Sequence, residues 1–558
     1  MISAIEGVSE LVELCKLHGV KHFVVSPGSR NAPISITLEN TNDISTYVVV
    51  DERSAAFFAL GISLATNSPV VVVCTSGSAG LNYAPAIAEA YYQKIPLVVI
   101  TADRPPEWIN QGDGQTIMQD GMYGKHVLNS VTLPIVKDED SSKILSQLVN
   151  ELLLKANGKI KGPVHINVPF NEPLYLTKTS ENKLPQKLES PIEKESILTD
   201  DLNSIIHSVN SEKKIMFIVG QSTFNTDLNS LINKISDLNQ CVVLSETTSN
   251  IFGEKIISTI DRVIDGFSSS DKSNFSPDVL ITFGDAVVSK KIKAWLRSIK
   301  PKEHIHVGYE NFRIDTYSCL SKTIANSAVQ FLAMISPNLI ANDSDYSKIW
   351  ISRLKTVAEK QKHFLLTIDW SDLKAFEIIT TNLPPCNLHL GNSSPIRYVQ
   401  LFKMNPKVRY YSNRGTSGID GCTSTAAGFA SVNNDLNVLI TGDISFYYDS
   451  NALWNNYLKG NFKIILINNK GGNIFRIIDG PTDEKIIKKY FEAKHDMNAE
   501  YLCKQFGLTY ATAHNENELK IALNDFLKIA DKPGVLEIFT DNIKSPQILK
   551  DYFSNLKS

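Results

Sequence analysis

Short runs of β-branched and other apolar residues alternate with helical stretches along most of the chain, and this alternation constrains the fold more than any other feature. Strands are predicted at residues 22–26, 45–50, 69–74 and 96–101, and helices at 7–17, 53–64 and 81–93. Strands that are apolar on both faces and separated by helices form parallel sheets covered by helices on both sides. The sequence therefore predicts an α/β fold.

The chain is too long for one hydrophobic core, since its 558 residues exceed the roughly 250–300 at which single cores stop growing. Polar stretches at 176–200 and 336–347 divide it into three blocks. Further strands are predicted at 215–219, 241–245, 279–283, 304–307, 436–440, 463–467 and 534–539. We predict three doubly wound domains with parallel sheets, spanning 1–180, 181–340 and 341–558, the first and third resembling each other.

Charge and cysteine usage narrow the possible partners and compartment. A formal net charge of −3 and the absence of a basic run argue against a nucleic-acid partner. The apolar runs have the length of strands, which argues against membrane insertion. The seven cysteines are scattered without CxxC spacing, which predicts buried thiols rather than a disulfide framework. The N-terminus lacks the features of a signal peptide. We expect a cytoplasmic protein.

The most informative segment is a predicted strand–helix–strand unit over residues 436–467. Its strands end in Gly442-Asp443 and in Asn468-Asn469, with a helix predicted at 451–458 between them. A right-handed crossover brings Asp443 and Asn469 to one edge of the sheet, where their oxygens offer ligands for Mg²⁺. Each motif alone is also common turn chemistry. Together they resemble the signature of enzymes that bind thiamine diphosphate through a metal ion.

Glu52 follows the predicted strand 45–50 at an apparent helix start. An acid in a first turn can simply complement the helix dipole. In thiamine enzymes, a glutamate at such a strand end hydrogen-bonds the aminopyrimidine ring and activates the cofactor. The resemblance implies this role for Glu52.

Four further motifs resemble one family. They are Ser-Pro-Gly-Ser-Arg-Asn-Ala-Pro at 26–33, Asp-Glu-Arg-Ser-Ala at 51–55, Thr-Ala-Asp-Arg-Pro-Pro-Glu at 101–107 and Ser-Asn-Arg-Gly-Thr-Ser-Gly-Ile-Asp-Gly at 412–421. They look like the 2-succinyl-5-enolpyruvyl-6-hydroxy-3-cyclohexene-1-carboxylate synthases of menaquinone biosynthesis, which are transferases (carboligases). The similarity is dense in the first and third blocks and thin in the middle one.

This resemblance implies decarboxylation of 2-oxoglutarate on thiamine diphosphate, followed by addition of the succinyl carbanion equivalent to isochorismate. The implied fold has pyrimidine-binding, central and diphosphate-binding domains, here the thiamine-diphosphate-binding fold. Active sites would lie between the first domain of one subunit and the third of another, in a homodimer or homotetramer.

The resemblance also implies the site residues. For the substrate carboxylates it implies Arg397, Arg414 and Ser393 on the 2-oxoglutarate side, Arg30, Arg104 and Lys290 on the isochorismate side, and Ser29, Gln115 and Asn392 nearby. For the cofactor it implies Glu52, Ser417, Ile419, Asp443, Ser445, Asn469, Gly471 and Ile474. For Mg²⁺ or Mn²⁺ it implies Asp443, Asn469 and Gly471.

Several of these residues also fit simpler interpretations. An arginine is usually a solvated charge, Lys290 with Lys291 is typical of an exposed helix start, and Ile419, Ile474 and Phe475 fit an ordinary core. Pyruvate decarboxylase-like and acetolactate synthase-like enzymes are the nearest alternatives. The former usually place adjacent histidines near the reacting carbonyl, and the latter often hold FAD in the middle domain. The sequence has no adjacent histidines and no Gly-rich dinucleotide motif in the middle block, which argues against both classes. A non-catalytic relative can lose Glu52 or Asp443, and both are present.

Overall fold

The computed structural model describes residues 1–179, 185–189, 199–310, 312–477 and 483–557. The predicted boundary between residues 180 and 181 lies outside this part of the chain, and the boundary at 340 stays a prediction. The described residues form three six-stranded parallel sheets and one short antiparallel pair. The predicted α/β fold with three parallel sheets is confirmed.

The first sheet is buried on both faces. In chain order, the strands up to residue 178 are β1 (Ile2–Ser3), β2 (His22–Val25), β3 (Ser45–Val48), β4 (Val70–Cys74), β5 (Leu97–Asp103), β6 (Ser130–Thr132), β7 (Val164–Pro169) and β8 (Thr177–Lys178). The accompanying helices are α1 (Val8–Leu17), α2 (Ala32–Glu39), α3 (Glu52–Thr66), α4 (Ser78–Asn82), α5 (Ala84–Tyr92) and α6 (Glu139–Ala156). The sheet order is β3-β2-β4-β5-β7-β6, and β1 pairs with β8. Val71 and Val73 pack into one core cluster and Val70 and Val72 into another, so helices cover both faces.

The second sheet has the order β11-β10-β9-β12-β13-β14. Its strands are β9 (Ile215–Val219), β10 (Cys241–Ser245), β11 (Ile256–Ile257), β12 (Val279–Phe283), β13 (Glu303–Val307) and β14 (Lys322–Ile324). Its helices are α7 (Thr199–Ser211), α8 (Thr226–Ser236), α9 (Ile260–Ile264), α10 (Ser269–Phe275), α11 (Lys290–Ile299) and α12 (Ala328–Ile335). The order of these strands is that of doubly wound nucleotide-binding folds.

The third sheet has the order β16-β15-β17-β18-β20-β19. Its strands are β15 (Cys386–Leu390), β16 (Val408–Tyr411), β17 (Asn437–Gly442), β18 (Phe462–Asn468), β19 (Thr509–Ala513) and β20 (Gly534–Phe539). The helices are α13 (Tyr346–Leu365), α14 (Asp372–Asn382), α15 (Ser394–Val399), α16 (Cys422–Ser431), α17 (Asp443–Tyr448), α18 (Glu484–Ile486), α19 (Glu500–Phe506), α20 (Glu516–Phe526) and α21 (Lys544–Lys557). The first and third sheets connect their strands in the same order, so the predicted similarity between these blocks is confirmed.

Two predicted helices differ from the structure. The helix predicted at 81–93 is broken into α4 and α5, because Pro85, in the first turn of α5, has no N–H to continue the first helix. The helix predicted at 451–458 is wrong: the crossover helix is α17, followed by a 3₁₀ turn at Ser450–Leu453. Beyond it, the Asn455 side chain accepts from the Tyr457 N–H and donates to the Ala452 carbonyl, competing with helical bonds.

Helix α3, which begins at Glu52, packs closely on α16 of the third sheet. A Cβ at Gly61 would lie 2.0 Å from the Thr425 carbonyl oxygen, and one at Gly428 would lie 2.0 Å from the Phe58 carbonyl oxygen. Only glycine permits this approach of the two backbones. The crossing ties the helix that carries Glu52 to the third sheet.

Two further predictions concern membranes and thiols. Across the described ranges, no helix combines the length and apolar character needed to cross a membrane. All seven cysteines are free thiols, and six of them are buried, as predicted from their spacing.

Candidate active site

A cavity of about 240 Å³ lies at the carboxyl ends of β17 and β18. The two strands pair in parallel, with Gly442 opposite Ile467, so the residues that follow them meet at one edge. Six of the predicted cofactor or metal residues line this cavity: Ile419, Asp443, Ser445, Asn469, Gly471 and Ile474. The structure thus brings together the cofactor and metal residues predicted in the third block, apart from Ser417, which does not line the cavity.

Asp443 is buried and held by backbone groups. Its Oδ1 accepts a hydrogen bond of 2.7 Å from the Ile444 N–H, and its Oδ2 accepts one of 3.0 Å from the Gly471 N–H. The Nε2 atom of His495 lies 3.3 Å from the same Oδ2. The Asp443 carboxylate is therefore fixed in orientation between the residues that follow β17 and those that follow β18.

Asn469 carries an oxygen that is free to bind a ligand. Its Nδ2 donates to Asp372 Oδ2 at 3.2 Å, whereas its Oδ1 is buried and has no partner in the described part of the chain. Both side-chain polar atoms of Asn473, which also lines the cavity, lack partners as well. Buried polar atoms without partners are costly and indicate a site for a ligand.

The turn after β18 accepts only a glycine at position 471. Gly471 has a φ of +148°, and a Cβ there would lie 2.6 Å from the Glu492 carbonyl oxygen. Without a Cβ at this position, the turn can bring the Gly471 N–H to within hydrogen-bond distance of Asp443. Across the cavity, the Ser445 hydroxyl donates to the Ile419 carbonyl at 2.9 Å, which fixes the loop that carries Ile419.

Two arginines of the third block lie beside this cavity. Arg414 Nη1 donates to Asn392 Oδ1 at 2.7 Å, and Arg397 Nη1 donates to the Ser393 carbonyl. Burial lowers the pKa of both guanidiniums, and for Arg414 the neighbouring Arg397 lowers the pKa further. Two cations held this close favour an anionic ligand.

Lys290 lies with Arg397 rather than with the arginines of the first block. Both line a second cavity of about 550 Å³, together with Ile474. Lys290 opens α11 and is exposed, as expected of a helix start, but it faces this cavity. The allotment of the cations between two substrates stays a prediction.

A separate cationic group lies at the carboxyl edge of the first sheet. Arg30 Nη2 donates to Glu172 Oε1 at 3.1 Å, and Arg104 Nη1 lies 3.8 Å from the same oxygen. Both guanidiniums lie over the Trp108 ring, at 5.9 and 5.8 Å from its centroid. Ser29, next to Arg30 in the sequence, and Gln115, which follows Arg104 in the same loop region, are both exposed. Gln115 has a φ of +55°.

Glu52 opens α3 and is half-buried. The preceding Asp51 caps the helix by accepting from the Ser54 N–H at 3.0 Å. Burial raises the pKa of the Glu52 carboxyl. Glu52 does not line the third-sheet cavity, so within one chain the predicted residues form two groups rather than one.

Comparison with known proteins links both groups to one cofactor. Residues 5–123 match the family described as "Thiamine pyrophosphate enzyme, N-terminal TPP binding domain", and residues 391–538 match its C-terminal counterpart. Proteins from Flavobacterium psychrophilum and Flavobacterium johnsoniae are each 42% identical over 98% of both chains. One from Bacteroides thetaiotaomicron is 38% identical over the full length of both. All three are named 2-succinyl-5-enolpyruvyl-6-hydroxy-3-cyclohexene-1-carboxylate synthase.

The chain belongs to this synthase family. It is therefore an enzyme that depends on thiamine diphosphate (thiamine pyrophosphate). The cavity fits that cofactor, since a carboxylate, an unpaired carboxamide oxygen and a close glycine turn suit a hard cation and a diphosphate. In the described ranges, no group of three or more His, Cys, Asp or Glu residues could hold a metal unaided. A cation in the synthase would rely on Asp443 together with Asn469, backbone and diphosphate oxygens.

Several contacts of the synthase site escape sequence reasoning. Asp372, which contacts Asn469, lies 97 positions before it in the chain. The sequence around Asp372 indicates only the start of a helix and gives no sign of this contact. Glu89 accepts from the N–H groups of Gly415 and Thr416, each at 2.7 Å, and so fixes the loop that carries Arg414. The sequence offers one sign of the Glu89 contact, which is the presence of an acid within the otherwise apolar, Ala-rich helix α5.

Proposed function

We propose that this synthase decarboxylates 2-oxoglutarate and joins the remaining succinyl unit to isochorismate, releasing CO₂ and giving 2-succinyl-5-enolpyruvyl-6-hydroxy-3-cyclohexene-1-carboxylate. The names of the relatives support the product. The observation that carries the choice of substrates is the pair of cationic groups, Arg397 with Arg414 and Arg30 with Arg104. Both substrates are dianions, and arginine binds carboxylates in a bidentate manner.

Asp443, Asn469 and the Gly471 carbonyl are the proposed ligands of Mg²⁺ or Mn²⁺. The unpaired Oδ1 of Asn469 and the backbone-oriented carboxylate of Asp443 support this assignment. When bound, thiamine diphosphate would supply a thiazolium ring with an acidic carbon and with a cationic nitrogen that can take up the electron pair left by decarboxylation. Ile419, Ser445 and Ile474 shape the cavity wall around the cofactor position, and Ser417 stays a predicted contact.

Glu52 is the proposed acid–base residue. Its carboxyl would exchange a proton with a ring nitrogen of the cofactor's aminopyrimidine. The raised pKa of Glu52 supports this role, because a carboxyl that keeps its proton nearer neutral pH can both donate and accept it.

The separation of Glu52 from the third-sheet cavity supports a site shared between subunits. A homodimer or homotetramer would place Glu52, Ser29, Arg30, Arg104 and Gln115 of one copy over the cavity of another. Exposed Val48 and Val50, just before Glu52, suit such an interface. We place the enzyme in the cytoplasm, which its free cysteines support.

Arg397, Arg414 and Ser393 would bind the 2-oxoglutarate carboxylates, and Arg30, Arg104 and Lys290 those of isochorismate. In the single chain, Arg30 and Arg104 share the largely exposed Glu172. A substrate carboxylate can replace this partner without leaving either guanidinium buried and unpaired.

The proposal is tested with the purified enzyme, thiamine diphosphate, Mg²⁺, 2-oxoglutarate and isochorismate, by following the loss of isochorismate absorbance. We expect isochorismate to be consumed only when 2-oxoglutarate is present. Consumption with pyruvate but not with 2-oxoglutarate would contradict the proposal and favour a pyruvate-using relative.

A further inference from the structure

Asp372 is wholly buried beside the cavity and is held at three points. It opens α14, and its own N–H donates to the Ser545 hydroxyl at 3.0 Å. Its Oδ1 accepts from the Thr540 hydroxyl, and its Oδ2 accepts from Asn469 Nδ2 at 3.2 Å. The carboxylate is therefore a fixed element of the structure, with one oxygen directed at the side chain of Asn469.

This contact decides which end of the Asn469 carboxamide faces the cavity. A carboxamide presents an NH₂ donor at one end and an oxygen acceptor at the other, and only the donor end can pair with a carboxylate. The opposite orientation would place two acceptor oxygens against each other in a buried site, which is costly. With Nδ2 held by Asp372, the Oδ1 atom is turned into the cavity, where it lacks a partner among the described residues.

We propose that Asp372 is a positioning residue that presents the oxygen of Asn469, rather than its nitrogen, to the metal ion. The inference rests on the metal site of the proposed function. It explains why a fully buried acid lines the same cavity as Asp443 without contributing a ligand: its two oxygens are taken by Thr540 and Asn469. Partners that orient metal ligands in this way typically change metal affinity by about 10- to 100-fold when removed.

The test measures metal binding without turnover, by titrating Mn²⁺ into the enzyme with thiamine diphosphate and following free Mn²⁺ by electron paramagnetic resonance. Asp372→Asn keeps the size of the side chain but no longer dictates the orientation of Asn469. Asp449→Asn is the matched control, because Asp449 is another wholly buried acid of this block, bonded to Ser424 instead. We expect Asp372→Asn to weaken Mn²⁺ binding about 10- to 100-fold, and Asp449→Asn to leave it unchanged.

A double variant separates orientation from a general loss of structure. In Asp372→Asn with Asn469→Asp, the acid and the amide exchange places, and the carboxylate introduced at 469 presents an oxygen to the metal in either orientation. We expect Mn²⁺ binding close to that of the wild type in this double variant, and weak binding in Asn469→Asp alone, which sets two carboxylates against each other.

Two results would overturn the inference while leaving the proposed function intact: wild-type Mn²⁺ affinity in Asp372→Asn, or a double variant that binds no better than Asp372→Asn. Asp372→Asn is also compared with the wild type by its Tm without metal. If it does not fold, the double variant alone decides. A wild-type enzyme that binds no Mn²⁺ with thiamine diphosphate would instead overturn the metal site, and this inference with it.

Discussion

The carboxylate of Asp443 accepts a hydrogen bond of 3.0 Å from the backbone N–H of Gly471, which joins the start of α17 to the turn after β18. Because the second oxygen of Asp443 is held by the Ile444 N–H, backbone groups orient both oxygens of the carboxylate, and His495 Nε2 lies 3.3 Å from the oxygen that Gly471 holds. A site fixed before its ligand binds loses little free energy to ordering when the ligand arrives.

Replacing Glu52 by glutamine should leave the affinity for thiamine diphosphate nearly unchanged and lower turnover by about 10²- to 10⁴-fold, the usual contribution of a positioned acid–base group. Calorimetric titration with the cofactor and single-turnover rates check the two parts separately. The matched control is Glu39→Gln, an exposed acid at the end of α2, which should behave as the wild type. Wild-type turnover in Glu52→Gln would refute the acid–base role.

Replacing Arg397 by alanine should raise the KM for 2-oxoglutarate. A hydrogen bond to a charged group contributes about 1.5–3 kcal/mol, so kcat/KM should fall roughly 10- to 150-fold. Arg397→Lys should recover little, since a lysine lacks the planar fork. Arg409→Ala is the control, because that guanidinium lies over Phe224 at 3.8 Å. An unchanged kcat/KM for 2-oxoglutarate in Arg397→Ala would remove this residue from the site.

Asp449 should make the stability of the enzyme depend on pH. Burial raises the pKa of Asp449 from 3.8 to about 7 in the folded protein. Between these values the folded state holds a proton that the unfolded state has lost, so stability falls as pH rises through this window, by up to about 1.4 kcal/mol per pH unit. Asp449→Asn removes this contribution. Comparing Tm at pH 5 and pH 7.5, the wild type should lose more than the variant, and parallel losses would contradict the assignment.

Gly61→Ala should destabilise the enzyme by about 1–3 kcal/mol, the usual cost of overpacking, because the new Cβ would meet the Thr425 carbonyl oxygen at 2.0 Å. Gly114→Ala is the control, since no atom lies within 4 Å of a Cβ at that position. Chemical denaturation measures both. Equal stability of the two variants would show that the packing of α3 on α16 tolerates an added methyl group.

Much of the fold follows from local sequence. The strands at Ile215–Val219 and Gly534–Phe539 match their predicted bounds, because β-branched runs between turn residues leave little choice. The crossover helix was misplaced because the asparagines at 451 and 455 suit turns as well as helix ends. Local pattern does not resolve that competition.

The site is predictable only where its residues follow consecutive strands. Asp443 and Asn469 could be brought together from the sequence because one crossover fixes both ends of two paired strands. Asn469 contacts Asp372, which lies 97 positions away, and Arg30 contacts Glu172, which lies 142 positions away. No local sequence pattern predicts either contact. They arise from packing between elements that the sequence does not connect directly.

Co-expression of Glu52→Gln with Asp443→Ala tests most directly whether Glu52 of one subunit acts with the Asp443 cavity of another, as we propose. Random pairing makes half of the dimers mixed, each with one intact site, so about a quarter of the wild-type activity should return. Co-expression of Glu52→Gln with Arg30→Ala should restore none, because both changes lie on the same side of every site. Activity no greater than that of the parent variants in the first pairing would contradict the shared site.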